Sequence, residues 1–373
     1  MRRIIKASAV MAAVAAVALA GCSSSTTTTT PSAGASGTTA AAGFAKDSLI
    51  GVALPSKTSE NWVLAGDLFT TDLKAAGFKS DVQYAGATTI VADQQGQITA
   101  MVTKGAKVII IGAADGAQLS TQVEAAKAAG VTVIAYDRLI LNTAALDYYV
   151  AYDNFKVGQL QGQALLDGMK AKKATGPYTI ELFSGSSDDA NSSVFFNGAM
   201  DVLKPAIAKG DVIVGSGQTD IKQTATAGWK AENAQSRMDS LLTSTYNGSK
   251  VLDGVLSPND TLARAILTSI QGAGKAIPTV TGQDSEVESV KSIMQGIQYS
   301  TINKDTRNLV KAAVQMATDL STGKTPTVND IKSYDNGTKV VPSYLLPPEI
   351  VTKANAAKSY ANDPTLLAIV NGK

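Results

Sequence analysis

An α/β protein of two lobes, each a doubly wound parallel sheet, is predicted by three observations. Short β-branched runs alternate with segments of helical periodicity from Leu49 onward. Runs such as Val108-Ile109-Ile110-Ile111 are apolar at every position, as a parallel strand covered by helices on both faces must be. The stretch from Lys46 to Lys373 is also long enough to enclose two cores.

The first set opens with a strand over Leu49–Leu54, a helix over Leu64–Ala76, a strand over Val82–Tyr84 and a helix over Ile90–Lys104. Leu64, Leu68, Phe69, Leu73 and Ala76 form one stripe of the first helix, and Gly77 follows where helices commonly stop. Strand Val108–Ile111, helix Leu119–Ala129 and strand Val131–Tyr136 close this set. The second begins near Tyr148–Tyr152 and runs through helix Val157–Lys170, strand Tyr178–Phe183, helix Val194–Leu203, strand Val212–Val214 and helix Ala231–Leu242. Strand Gly254–Leu256, helix Thr261–Gln271, strand Thr279–Thr281, helix Val287–Met294 and strand Tyr299–Ile302 follow. Helix Arg307–Leu320 and a late strand at Val340–Tyr344 complete the alternation.

Ahead of the folded part, Arg2, Arg3 and Lys6 precede an uncharged run from Ala7 to Ala20, and Leu19-Ala20-Gly21 lead into Cys22, the only cysteine. Residues 1–22 are therefore expected to be a secretory signal ending in a lipobox, with Cys22 lipidated. The apolar run is short for a bilayer span, so the expected attachment to a membrane is through acyl chains alone. Residues 23–45 carry no charge and are dominated by Ser, Thr, Ala and Gly. Such a composition cannot bury a core; it predicts a flexible tether reaching roughly 25–30 Å.

Removing the three cations of the signal leaves 30 basic against 31 acidic residues, a net charge of −1. That balance argues against nucleic acid as a partner, because phosphate neutralisation needs a basic surface. Histidine is absent, which excludes Ser-His-Asp and Cys-His catalysis and, with a single cysteine, the zinc sites that use either residue. Gly323-Lys324-Thr325 lacks the earlier glycine of a phosphate-cradling Walker loop. No cofactor, metal or disulfide is expected.

Polar residues recur just beyond the carboxyl ends of the predicted strands: Lys57, Asn61 and Trp62; Asp137 and Arg138; Asp189 and Asn191; Asn259; Asp284; Lys304. In open α/β sheets that edge is where ligands bind, so six such ends from two lobes predict one cleft. The residue types suit a sugar. Asp and Asn bridge neighbouring hydroxyls, while Arg and Lys donate charge-assisted hydrogen bonds. Trp62 and Trp229, the only tryptophans, fall at loop-to-helix junctions where an indole face meets the C–H patches of a pyranose.

Each residue also has a structural reading. Asp189, Asn191 and Asn259 suit helix N-caps, worth about 1 kcal/mol. Asp137 and Arg138 suit a surface ion pair of little value. Both tryptophans suit core filling. Ser285-x-x-Glu288 forms a capping box, which assigns the cap to Ser285 and leaves Asp284 to face the cleft.

Five segments carry a resemblance: Ala135-Tyr136-Asp137-Arg138-Leu139-Ile140, Asp153-Asn154-Phe155-Lys156-Val157-Gly158, Glu181-Leu182-Phe183-Ser184-Gly185-Ser186, Gly282-Gln283-Asp284, and Tyr299 through Arg307. They resemble the multiple-monosaccharide-binding and xylose-binding proteins, substrate-binding components of sugar ABC importers, from about Ser48 through Leu346. The resemblance implies a type I periplasmic-binding-protein fold, two lobes joined by three crossing strands and closing like a hinge on one sugar. It implies crossings near Tyr152, near Asn303 and near Lys332–Thr338. Residues 46–151 and 303–336 would then form the N-terminal lobe, residues 152–302 and 337–355 the C-terminal lobe, and residues 356–373 a tail. Family sugar contacts fall on Trp62, Asp137, Arg138, Asp189, Asn191, Trp229, Asn259, Asp284 and Lys304, with Lys57 and Asn61 as secondary candidates. Relatives commonly carry Arg where this chain has Asn61, and Asn where it has Ala190.

The function implied is delivery of a monosaccharide such as xylose, glucose, galactose or arabinose to permease subunits by a monomeric, extracytoplasmic lipoprotein without catalysis. A sensory receptor for a sugar shares the same cleft. An exported glycosidase would use Asp137, Asp189 and Asp284, but Arg138 and Lys304 are expected to keep those carboxylates ionised, which ill suits a general acid. A repressor of similar fold is disfavoured by the export signal and by the absence of an N-terminal DNA-binding unit.

Overall fold

The computed structural model describes residues 43–373, apart from positions 58 and 87. The expected signal and lipidation site at Cys22, with nearly all of the expected tether, lie outside the described residues. Phe44 is already part of the fold: its N–H donates to Ser321 O at 3.0 Å and its ring stands 6.1 Å from that of Phe78.

Five strands open the first lobe: β1 (Leu49–Leu54), β2 (Lys79–Tyr84), β3 (Val108–Ile111), β4 (Thr132–Tyr136) and β5 (Tyr148–Tyr152). Between them lie α1 (Glu60–Ala75), α2 (Ile90–Thr103) and α3 (Ser120–Ala128). All pairings are parallel, with Val52 opposite both Val82 and Ile110. The alternation along β3 divides two cores. Ile109 and Ile111 pack with Met101 and Val123, whereas Val108 and Ile110 pack with Phe69 and Leu73 of α1. Apolar residues at every position are thus explained by helices on both faces.

The second lobe holds α4 (Asn154–Lys172), β6 (Tyr178–Leu182), α5 (Ala190–Ala208), β7 (Val212–Val214), α6 (Ile221–Thr224), α7 (Ala231–Ser244), β8 (Gly254–Leu256), α8 (Asp260–Gly272), β9 (Thr279–Val280) and α9 (Val287–Met294). Its sheet order is β7-β6-β8-β9, also parallel. Ile180 and Leu182 face α4 and α5, while Val255 and Val280 face α7 and α8. The α4–α5 contact is set by glycines. A Cβ at Gly158 would overlap Phe195 O, one at Gly198 would overlap Phe155 O, and one at Gly162 would lie 2.8 Å from Ala199 O. Because backbone cannot yield as a flexible side chain does, Gly158→Ala and Gly198→Ala are each expected to lower stability by about 1–3 kcal/mol. Urea unfolding measures this, and wild-type midpoints would refute it.

The chain leaves the second lobe through β10 (Ser300–Asn303), returns to the first as α10 (Thr306–Ser321), and later forms β11 (Ser343–Leu346) and β12 (Glu349–Thr352). Here the expected third crossing at Lys332–Thr338 is corrected. Tyr334 packs its ring 5.0 Å from Tyr149, and the Asn336 amide donates to Ile140 O and Thr143 O at 3.2 and 2.8 Å. β11 then extends the first sheet beside β5, with Ser343 opposite Tyr149, giving the order β11-β5-β4-β3-β1-β2. Residues 337–346 therefore stay with the first lobe, and the crossing falls at Pro347-Pro348, where absent N–H groups end the strand. β12 pairs antiparallel with β10.

Residues 356–373, expected as a tail, fold as α11 (Ala356–Ser359) and α12 (Pro364–Val370). Val290, Val351, Ala356, Tyr360 and Leu366 form a small buried cluster there. α5 likewise exceeds its expected end at Leu203, continuing through Pro205 to Ala208.

Candidate functional site

A cavity of about 510 Å³ opens at the strand carboxyl ends, lined from both lobes. Asn61, Trp62, Asp137, Arg138, Asp189, Asn191, Trp229, Asn259, Asp284 and Lys304 all line it. Lys57 does not: its ammonium stands 4.6 Å from the Tyr84 ring centroid, a cation–π contact away from the cavity wall.

The first-lobe wall is built around Trp62, in the first turn of α1 below the Ser59 cap. Its ring meets Tyr136 edge-on at 6.2 Å, with the Arg138 guanidinium 5.5 Å from its centroid. A Cβ at Gly112 would lie 2.9 Å from that ring, so glycine there makes room for the indole. Asp137 follows β4 in the left-handed region, φ 62°, an unusual conformation for an aspartate. Its carbonyl accepts from Tyr149 Oη at 2.6 Å and from Asn191 Nδ2 at 2.8 Å.

On the second-lobe wall Asp189 serves two purposes. One carboxylate oxygen caps α5 by accepting from Asn191 N–H at 2.9 Å, and the other lies 3.1 Å from Arg138 Nε. The pair joins the lobes and is largely buried, unlike the surface pair that sequence alone allows. Asn259 likewise caps α8, accepting from Leu262 N–H at 3.0 Å. Trp229 closes a short turn after Gly228, at φ 54°, and a Cβ at Gly185 would overlap its ring. Its Nε1 is enclosed and has no hydrogen-bond partner.

Between the lobes, Lys304 follows β10 and its Nζ lies 3.0 Å from Asp284 Oδ1, with 10% and 17% of the side chains exposed. Burial alone would lower the lysine pKa, but Asp284, Asp137 and Asp189 outweigh it, and Lys304 titrates above its ordinary value. Asp137 moves the other way from the expectation that its cations hold it ionised. Burial pushes its carboxyl up, with Lys304 and Arg138 opposing and Asp189 and Asp284 assisting. For a raised carboxylate the penalty is complete above the folded pKa and disappears as pH falls through it toward 3.8. Asp137→Asn is therefore expected to melt above wild type at pH 7.5, the gap closing with acidification. Equal melting temperatures at pH 7.5 would refute this.

The predicted capping box is corrected too. The N-cap of α9 is Glu286 without a side-chain cap, and Ser285 instead accepts from Tyr360 Oη at 2.8 Å. Asp284 nonetheless faces the cavity. Asn61 spends its side chain on the protein: its Nδ2 donates to Asp284 O at 3.5 Å, and its Oδ1 accepts from Thr306 at 3.3 Å.

Sequence reasoning missed Tyr136, Phe195, Thr261 and Gln283 as lining residues. Phe195 lies four residues after Asn191 on α5, a spacing that places both on one helical face, and Lys304 Nζ stands 5.4 Å from its ring. Gln283 precedes Asp284, is 2% exposed, and its Oε1 lacks a partner. Among the described residues, no cluster of His, Cys, Asp or Glu is arranged to hold a metal.

The periplasmic binding protein domain family matches residues 50–325. The multiple sugar-binding periplasmic receptor ChvE of Rhizobium radiobacter is 49% identical over 324 residues, covering 85% of this chain and 91% of its own. The D-xylose-binding periplasmic protein of Escherichia coli (strain K12) is 34% identical over 327 residues, covering 87% and 93%. Among solved structures, an ABC transporter solute binding protein from Clostridium phytofermentans with bound β-D-glucose matches with a TM-score of 0.81 at 38% identity. That match covers 86% of this chain and 99% of the other.

Proposed function

This chain belongs to the periplasmic binding protein domain family, and from that premise we propose that it is an extracytoplasmic receptor for an aldopyranose of the glucose and xylose kind. It delivers the sugar to ABC permease subunits and is held at the membrane by lipid on Cys22. One observation carries the reading: the only two tryptophans stand on opposite lobes of a single cavity, beside a largely buried Arg138–Asp189 pair and a largely buried Lys304–Asp284 pair. The sugars bound by the relatives named above and by the glucose-bound neighbour support it.

In this proposal the indoles cover the C–H faces of the ring. Asp137, Asp189, Asn191, Asn259 and Asp284 receive or bridge hydroxyls, and Arg138 and Lys304 donate to them. A sugar touching both lobes favours the closed arrangement by its differential contacts, and the permease reads that arrangement. No bond is broken; the protein is a carrier and not an enzyme. Titration calorimetry with glucose, xylose, galactose, arabinose and fucose tests the reading. One-to-one binding of at least one of them is expected, and no affinity tighter than millimolar for any would overturn it.

A further inference from the structure

We propose that Tyr360 is a positioning residue for the cavity-facing Asp284, and that the C-terminal helices act as a strap holding that carboxylate in place. The proposal rests on the sugar-binding reading of the cavity.

Asp284 and Ser285 are consecutive non-glycine residues in the left-handed region, φ 96° and 53°. Such backbone persists only where its surroundings over-determine it. Three hydrogen bonds come from the second lobe and the strand leaving it. Asp284 N–H donates to Ile302 O at 2.9 Å, Ser285 N–H to Thr301 Oγ1 at 3.1 Å, and Glu286 N–H to Asp260 Oδ2 at 3.0 Å. A fourth comes from the first lobe, where Asn61 Nδ2 donates to Asp284 O at 3.5 Å, and a fifth from beyond the last strand, where Tyr360 Oη donates to Ser285 Oγ at 2.8 Å. Both residues are buried, and burial pushes the Tyr360 pKa up, so the hydroxyl remains a donor.

The strap is fastened at both ends of the Lys304–Asp284 pair. On one side the Tyr360 ring packs among Val290, Val351 and Leu366, which fixes its hydroxyl over Ser285. On the other, Asp363 caps α12 and pairs with Arg307 at 2.8 Å. Arg307 stands three residues beyond Lys304 and also holds Asp305, the cap of α10, at 2.8 Å. One segment thus restrains the loop that carries the carboxylate and the turn that carries its cation.

Tyr360→Phe removes the donor and keeps the ring. Calorimetry with glucose is expected to show about 3–10-fold weaker binding, the scale of one lost hydrogen bond. Repeating the titration with the monodeoxyglucose series separates positioning from general damage. If Tyr360 acts through Asp284, its penalty collapses for the analogue that lacks the hydroxyl Asp284 receives and persists for the rest. Ser285→Ala, which removes the acceptor and leaves Tyr360 packed, is expected to give the same pattern, and carries the test if Tyr360→Phe does not fold. The double variant should be no weaker than either single one. A uniform penalty across the series, or unchanged glucose affinity in both variants, overturns the proposal. Failure of the wild-type protein to bind any aldose is a separate result that overturns the sugar reading beneath it.

Discussion

Lys304→Met is expected to lower unfolding free energy by about 3–5 kcal/mol at neutral pH and to abolish measurable sugar binding. Lys304 is the cation shared by Asp284, Asp137 and Asp189 at the junction of the lobes. Methionine fills similar volume, so the loss measures uncompensated carboxylates more than a cavity. The Asp284 side chain is only 17% exposed and cannot recover by hydration what it loses in pairing. A second substitution identifies the cause. Lys304→Met with Asp284→Leu removes both charges, and because a well-packed apolar pair can stand in for a buried ion pair, most of the stability should return. Affinity should not. The pH profile gives an independent sign. With its folded pKa above 10.5, Lys304 contributes stability that is complete below 10.5 and is lost as pH rises through the folded value. Wild type should weaken in that alkaline window, and Lys304→Met should lack that component. Urea unfolding of the three proteins decides the matter; wild-type stability in Lys304→Met would remove the pair from the account of the cleft.

Much of the architecture was legible because its signals are local. Val108–Ile111, Val212–Val214 and Gly254–Leu256 occupy the strands expected of them, since a short apolar run bounded by helical periods needs no distant partner to be recognised. Tyr148–Tyr152, expected to open the second set, instead pairs with β4 in the first sheet. Most of the cavity candidates were legible for the same reason, each following a strand end, whereas Trp229 stood out only as an indole at a loop-to-helix junction and Lys57 lies off the cavity wall. What escaped depends on contacts between remote segments. β11 belongs beside β5 through pairing across almost two hundred residues, and no feature of Val340–Tyr344 announces that neighbour. β12, α11 and α12 are too short for a convincing period, and they are stabilised by burial against α9 and β10 more than by propensity. Ser285 shows a local rule overridden: its capping pattern is present, but Tyr360 and Thr301 hold it in a left-handed turn that a cap does not adopt. For Asp189 and Asn259, a capping role and a place on the cavity wall are not alternatives. Each caps a helix and lines the cavity, because the first turn of a helix is where a strand-end loop delivers its side chains.

Trp62→Ala and Trp229→Ala are each expected to weaken sugar binding by about 1–3 kcal/mol, the scale for truncating a central aromatic anchor. The core-filling reading predicts something else: a large fall in melting temperature with affinity preserved in whatever remains folded. Both rings are half-buried, so stability should fall by less than the 3–5 kcal/mol typical of a fully buried tryptophan. They are not equivalent. Trp62 rests on Tyr136 and beneath Arg138, so its loss also frees the guanidinium that pairs with Asp189 across the lobes. Trp229 is seated on Gly185 and carries an enclosed indole N–H without a partner, so its loss removes a stacking face but breaks no hydrogen bond within the protein. The Trp62 variant should therefore show the greater loss of affinity. Since these are the only tryptophans in the chain, each single variant leaves one indole as a fluorescent reporter on the opposite lobe. Titrating both with glucose should move the remaining emission in each case, as one ligand touching both walls requires. A variant whose surviving tryptophan ignores saturating sugar would place that residue outside the binding cleft.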